Sequence, residues 1–222
     1  MTSETQGATR NYRDLHAHLD ALRAEGLLVE IDRPVDKDSQ LHPLVRWQFV
    51  GGIEEPDRKA FLFTNIVDAH GRKYDIPVVV GAIAANRRIY SVGMDAPVED
   101  IQKKWDHAIA NPVKPRVVEN APCHEVIHEG RDLIGEGKGL DALPIPVSTP
   151  GFDSAPTLTA TNVITRDPVT GVQNMGTYRA ALKASDRLVV RMATRVGGAG
   201  GYQHYREHQK RGDKEMPCAI VL

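Results

Sequence analysis

The tetrapeptide Leu143-Pro144-Ile145-Pro146 cannot lie inside a helix, because each proline lacks a backbone N–H and its ring clashes with the preceding turn. It falls in a stretch from Pro112 to Gly151 where prolines and glycines recur. That stretch divides the 222-residue chain into two parts of different character. Residues 12–112 mix helical and strand patterns and read as an α/β domain. Residues 113–222 become strand-like once the prolines thin out, and read as an antiparallel meander, a β-barrel or part of one.

In the first part, residues 2–11 are a polar lead. The spacing of Leu15, Leu19 and Leu22 predicts a helix over Tyr12–Glu25, closed by Gly26. Strands are expected at Leu27–Ile31, Ala60–Ile66 and Ile76–Val80, with a helix at Leu41–Val50. A further helix is expected over Ala96–Ala110, with Pro97 in its first turn and Pro112 beyond its end. In the second part, Thr157, Thr159 and Thr161 alternate with Leu158, Ala160 and Asn162 in a period of two. Asp167-Pro168-Val169-Thr170-Gly171 is a turn by its chemistry, since proline presets one dihedral and glycine accepts a positive one. Strands follow at Val172–Leu182 and Leu188–Ala193, then a glycine run at Gly197–Gly201 and a helix at Tyr202–Gln209. The chain stops in the apolar run Cys218–Leu222, as a C-terminal edge strand would; the preferred reading is a fragment, or a chain whose remaining core is supplied by another chain.

The charge is balanced, 28 basic residues against 29 acidic, which gives no general reason to expect nucleic acid or an anionic membrane surface as partner. No apolar run approaches the roughly 20 residues that span a bilayer. The polar start, Met1–Arg10, lacks the apolar core of a secretory signal, so cytoplasm is the default and Cys123 and Cys218 read as free thiols.

Four features could carry chemistry. The run Gly197–Gly201 precedes a helix and could bring free amides to an anion such as phosphate, although it matches neither the Walker nor the dinucleotide pattern and a flexible loop would look the same. His204 and His208 are four apart on the expected helix and could share a metal, or be two solvated surface histidines. Cys123-His124 and His128 lack a second pair at zinc-finger spacing and read as an ordinary strand or turn. In Gln173–Arg179 the period of two puts Asn174, Gly176 and Tyr178 on one face and Met175, Thr177 and Arg179 on the other. Glycine inside a strand often marks the close approach of a ligand or another backbone, although a half-exposed barrel strand would also explain the segment.

Asn174-Met175-Gly176-Thr177-Tyr178-Arg179 resembles the asparagine-to-arginine strand motif of the UbiD decarboxylases, and Gln203-His204, after a glycine run, resembles their second motif. The turns at Asp167–Gly171 and Ser185-Asp186-Arg187-Leu188, and the opening Tyr12–Asp36, are also similar to this family. The resemblance implies a reversible non-oxidative decarboxylase of aromatic or α,β-unsaturated carboxylic acids. It implies an α/β domain followed by a flavin-reductase-like split β-barrel, prenylated FMN as cofactor, Mn2+ or Mg2+ with K+ as a further candidate ion, and a homo-oligomer. By the same resemblance Asn174 and His204 are metal ligands. Asn174, Met175, Gly176, Thr177, Tyr178, Arg179, Gln203 and His204 line the cofactor, and Arg179 is catalytic, near the substrate carboxylate. An amide oxygen, an imidazole and phosphate oxygens suit such an ion, and an arginine fork suits a carboxylate.

The family's third metal ligand is a glutamate after the apolar strand at which this chain stops, and its catalytic acid and a phosphate-binding lysine come later still. The chain therefore reads as truncated, and no turnover is expected of it alone. Two alternatives stand beside the enzyme: a non-catalytic flavin-binding or assembly subunit that needs a partner chain, and an unrelated split-barrel protein that binds ordinary FMN without a metal.

Overall fold

A computed structural model of the chain describes residues 14–195 and 197–222. The expected polar lead, and Tyr12 at the start of the first expected helix, lie outside the described residues. The chain forms two compact units. One comprises the residues up to Asp36 together with Gln40–Ile127, the other Lys37–Ser39 together with His128–Leu222.

In the first unit, helix α1 (Leu15–Ala24) begins where the Asp14 carboxylate accepts the Ala17 N–H at 2.9 Å. It ends at Gly26, whose φ of 65° lets the chain turn back so that Leu27 N–H donates to the Leu22 carbonyl. Strands β1 (Leu28–Ile31) and β2 (Val35–Asp36) and helix α2 (Leu41–Val50) follow. The expected strand Ala60–Ile66 is instead two strands, β3 (Ala60–Phe63) and β4 (Ile66–Val67). They part at Thr64-Asn65 because each joins a different sheet: Thr64 N–H still donates to the Ile31 carbonyl beside β1, whereas the Asn65 carbonyl already accepts from Val35 of β2. With β5 (Lys73–Tyr74) and β6 (Val78–Val80) they complete two mixed three-stranded sheets, ordered β1-β3-β6 and β2-β4-β5. One core cluster joins Leu19, Leu22, Leu27 and Ala60 to Ile89 and Val92 of helix α3 (Arg87–Met94), which the sequence reading did not foresee. The other gathers Val35, Leu41, Val45, Phe63 and Ile66. Helix α4 (Ile101–Ala110) starts later than expected, because Pro97 is extended (ψ 149°) and leads into a separate 3-10 turn at Val98–Asp100.

The second unit opens with 3-10 turns at Gly130–Leu133 and Gly139–Ala142 and then runs into β7 (Thr157–Arg166), β8 (Gln173–Ala184) and β9 (Arg187–Arg191). The β7–β8 connection is the expected turn. The Asp167 carboxylate accepts the N–H groups of Val169 and Thr170, each at 2.8 Å, and Gly171 takes a φ of 73°. The expected alternation of Thr157, Thr159 and Thr161 does not hold. Leu158 pairs with Ala180 but Thr161 with Tyr178, so β7 carries one extra residue, a bulge that buries Thr157 and Thr161 and leaves Thr159 exposed. Helix α5 (Gly200–Lys210) and β10 (Ala219–Val221) complete the unit.

The sheet is antiparallel throughout, in the order β10-β7-β8-β9, and among the described residues it is open, with β9 and β10 as its edges. Helix α5 packs on one face through residues that touch β7 and β8. Met175, Val189 and Val221 stand exposed. No helix among the described residues is long and apolar enough to cross a membrane.

Candidate functional site

The alternation of β8 sorts the motif residues as the sequence implied. Asn174, Gly176 and Tyr178 are half-buried, while Met175, Thr177 and Arg179 are exposed. Tyr178 leans back over Gly176, where a Cβ would collide with its ring. Its hydroxyl accepts the Gly201 N–H at 3.1 Å, so the strand holds the first turn of α5 directly.

Helix α5 can come this close because its first two residues lack side chains. A Cβ on Gly200 would overlap the Asn174 carboxamide, and one on Gly201 would press on the Tyr178 hydroxyl and Met192. The helix starts two residues earlier than expected, so these glycines are helical rather than part of a loop. The amides expected to be free for an anion are in part engaged: Gly198 donates to Arg195, Ala199 to Ala193 and Gly201 to Tyr178.

One turn further along α5, His204 is 8% exposed and its Nδ1 lies 2.9 Å from the hydroxyl of Thr165, itself 2% exposed. Thr165 is the ladder partner of Asn174. Directly opposed residues of an antiparallel pair share a face with their Cβ atoms about 5 Å apart. Asn174 and His204 are thus brought together, one on the strand and one on the helix, with Thr165 between them. Sequence reasoning missed Thr165. Its signal was the period of two running through Thr161, Val163 and Thr165, all buried.

The remaining candidates go elsewhere. The Gln203 side chain turns back to the Gly197 and Gly198 carbonyls. His208 does not pair with His204; its Nδ1 meets Asp213 at 2.8 Å. Thr177 donates to Asn162 on the other face of the sheet. Arg179 binds both carboxylate oxygens of Asp153 through Nη2, each at 2.7 Å, and Asp153 also accepts the Thr149 N–H. Asp153, in the turn before β7, is another residue the sequence reading did not single out. Cys123 and His124 lie in an exposed 3-10 turn, and Cys123 and Cys218 are free and exposed. Beside the site, an open cleft of about 490 Å³ is lined by Thr165, Asp167, Gln173, His208 and Cys218. Backbone N–H groups of Thr170 and Val169 hold the Asp167 carboxyl below its ordinary value.

The pair fits a hard divalent cation as part of a ligand set. The Asn174 Nδ2 is buried without a hydrogen-bond partner, which costs about 1–3 kcal/mol unless an acceptor such as a phosphate oxygen meets it, and that would leave the amide oxygen for a cation. That oxygen and the unengaged Nε2 of His204 are two neutral donors of the kinds manganese or magnesium accepts. Among the described residues no three His, Cys, Asp or Glu side chains converge, so anionic oxygens would have to come from a phosphate or from groups outside them.

Residues 116–222 match the family model described as the UbiD 3-octaprenyl-4-hydroxybenzoate carboxy-lyase Rift-related domain. The chain is similar to an evolved dimeric form of the UbiD-class enzyme HmfF from Pelotomaculum thermopropionicum in complex with prFMN. The identity is 27% and the TM-score 0.78, over 95% of this chain and 44% of that one. HmfF in complex with FMN matches at 28% identity and a TM-score of 0.75, over 93% and 42%. The 3,4-dihydroxybenzoic acid decarboxylase of Enterobacter cloacae shares the fold at 22% identity and a TM-score of 0.76, over 95% and 42%. The chain thus spans less than half the length of these proteins. The resemblance carried by Asn174–Arg179 and Gln203-His204 is borne out by both comparisons: residues 116–222 match the UbiD Rift-related domain, and nearly the whole chain is similar in fold to UbiD-class enzymes.

Proposed function

We propose that this chain carries the flavin- and metal-facing portion of a reversible non-oxidative decarboxylase of aromatic or α,β-unsaturated carboxylic acids. On this reading residues 12–112 are the N-terminal α/β domain, residues 113–222 are part of a cofactor domain, and the open sheet of β7 to β10 is a portion of a split barrel. One observation carries the assignment: the Asn174 carboxamide, whose buried Nδ2 lacks a hydrogen-bond partner, stands across the β ladder from Thr165, which touches the buried His204. The kinship with a protein solved in complex with prFMN supports prenylated FMN as the cofactor.

Asn174 and His204 would hold a divalent ion, manganese by preference, which would supply positive charge to offset a cofactor phosphate. When bound, the prenylated flavin supplies the electron sink for the carbon that loses CO2. The protein residues position and exclude. Tyr178 and the Gly200–Gly201 turn fix the helix against the strand, and Gln203 ties the glycine run to that helix. Arg179 offers a planar fork to the substrate carboxylate. That fork is held by Asp153, so an incoming carboxylate would exchange with an existing carboxylate partner.

The test is an EPR-monitored Mn2+ titration of the 222-residue chain in the presence of FMN. Asn174→Ala and His204→Ala should each weaken Mn2+ binding about 10-fold or more. Wild-type FMN binding that needs no metal, or Mn2+ binding indifferent to both substitutions, would overturn the reading in favour of a plain flavin module.

A further inference from the structure

We infer that Thr165 is the positioning residue of the Asn174–His204 pair: it engages His204 Nδ1 so that Nε2 is the nitrogen offered to a divalent cation, and its place in the ladder sets Asn174 opposite. The inference rests on the reading of that pair as a metal site and deepens it.

Four observations converge. The Thr165 hydroxyl lies 2.9 Å from His204 Nδ1, and both side chains are buried, so water does not compete for the contact. The engaged nitrogen cannot also ligate a metal, which leaves Nε2. A neutral imidazole has one protonated nitrogen and one with a lone pair, and the partner of the first selects the second. For Nε2 to ligate, Nδ1–H must donate to the Thr165 oxygen, a role a hydroxyl can fill while its own proton points elsewhere. Finally, Thr165 pairs with Asn174 in the β7–β8 ladder, and the Asp167–Gly171 turn closes that hairpin. One residue thereby ties a ligand on the helix to a ligand on the strand.

Alternative roles for Thr165 are weaker. A β-branched residue on a buried strand face needs no hydroxyl, and the adjacent buried Val163 fills its position without one. A hydroxyl at a buried position beside an imidazole has a partner to choose.

The experiment uses the 222-residue chain with 15N-labelled histidine, as wild type, Thr165→Val and Thr165→Ser. Long-range 1H–15N NMR reads which nitrogen of His204 carries the proton. A Mn2+ titration by EPR, with FMN present, reads the affinity of the pair together with the phosphate. Wild type and Thr165→Ser should show the proton on Nδ1 and the same Mn2+ affinity. Thr165→Val should show a mixed or inverted tautomer and about 10-fold weaker Mn2+ binding. A wild-type ring protonated on Nε2 would overturn the inference, as would a Thr165→Val chain that keeps the wild-type tautomer and affinity. Failure of Thr165→Ser to restore both readouts would overturn it even if Thr165→Val does not fold. Wild-type protein that binds no Mn2+ would sink the metal reading and the cation half of the inference, while the tautomer still decides whether Thr165 sets the ring.

Discussion

Gly200→Ala tests whether the site depends on two backbones coming together without a side chain between them. An alanine Cβ would stand 2.6 Å from the carboxamide carbon of Asn174, so either the asparagine or the helix start must move. Overpacking of this kind costs about 1–3 kcal/mol. Replacing a helical glycine returns at most about 1 kcal/mol, and less in a first turn. The net expectation is a loss of about 1–2 kcal/mol, at about 4–8 °C of melting temperature per kcal/mol for a domain of this size. Gly93 of α3 supplies the opposite case. A Cβ there meets only His18 Cε1 at 3.4 Å, ordinary contact, so Gly93→Ala should stabilise by about 0.5–1 kcal/mol. Both tryptophans, Trp47 and Trp105, lie in the first compact unit, so fluorescence would miss the Gly200 effect. Amide hydrogen exchange of β7 and β8, with far-UV dichroism in urea, reads the second unit. The displaced Asn174 should also weaken Mn2+ binding about 10-fold. Equal stability and equal Mn2+ affinity in Gly200→Ala would refute the close-packing argument.

Asp167→Ala should destabilise the hairpin at neutral pH, and the deficit should shrink under acid. Because the folded protein holds this carboxyl below its ordinary value, its contribution is present above that ordinary value and is lost as pH falls through the folded pKa. Urea midpoints of both proteins at neutral and strongly acid pH check this, and a pH-independent difference would contradict it. Asp153→Ala should cost about 1 kcal/mol, mainly for the orphaned Thr149 N–H, because Arg179 is nearly half exposed and its ion pair is screened. A loss of several kcal/mol in chemical denaturation would show that the Asp153–Arg179 contact is structural rather than exchangeable.

Much of the fold was legible where a local rule and the tertiary setting agree. The Leu41–Val50 helix matches its expected bounds because its apolar positions also build a core cluster. The Asp167–Gly171 turn follows from its own side chains. Helix α3 was missed although Asn86 caps it by accepting the Ile89 N–H at 2.7 Å, because Gly93 and two arginines dilute its pattern. The break between β3 and β4 was invisible because sheet partners, rather than propensity, decide where Thr64-Asn65 leaves the strand. At the site, period two sorted Asn174, Gly176 and Tyr178 from Met175, Thr177 and Arg179. The partners of those residues were not legible: Thr165, Gly200 and Asp153 meet them through the β ladder, the helix approach and a long-range ion pair, none of which leaves a local spacing.

The extra residue in β7 sets where chain length can change without harm. It lies between the proline-rich approach and the run Thr161–Thr165, so a residue gained or lost before Thr157 can be absorbed as a change in the bulge. Downstream there is no such slack. Thr165 faces Asn174 only because the hairpin between them has its present length, and one inserted residue in Asp167–Gly171 would slip the strands and turn one of the two away from the helix. Loop grafts, tags and fusion joints therefore belong ahead of β7, and the hairpin tip, although solvent-facing, is the place to leave alone.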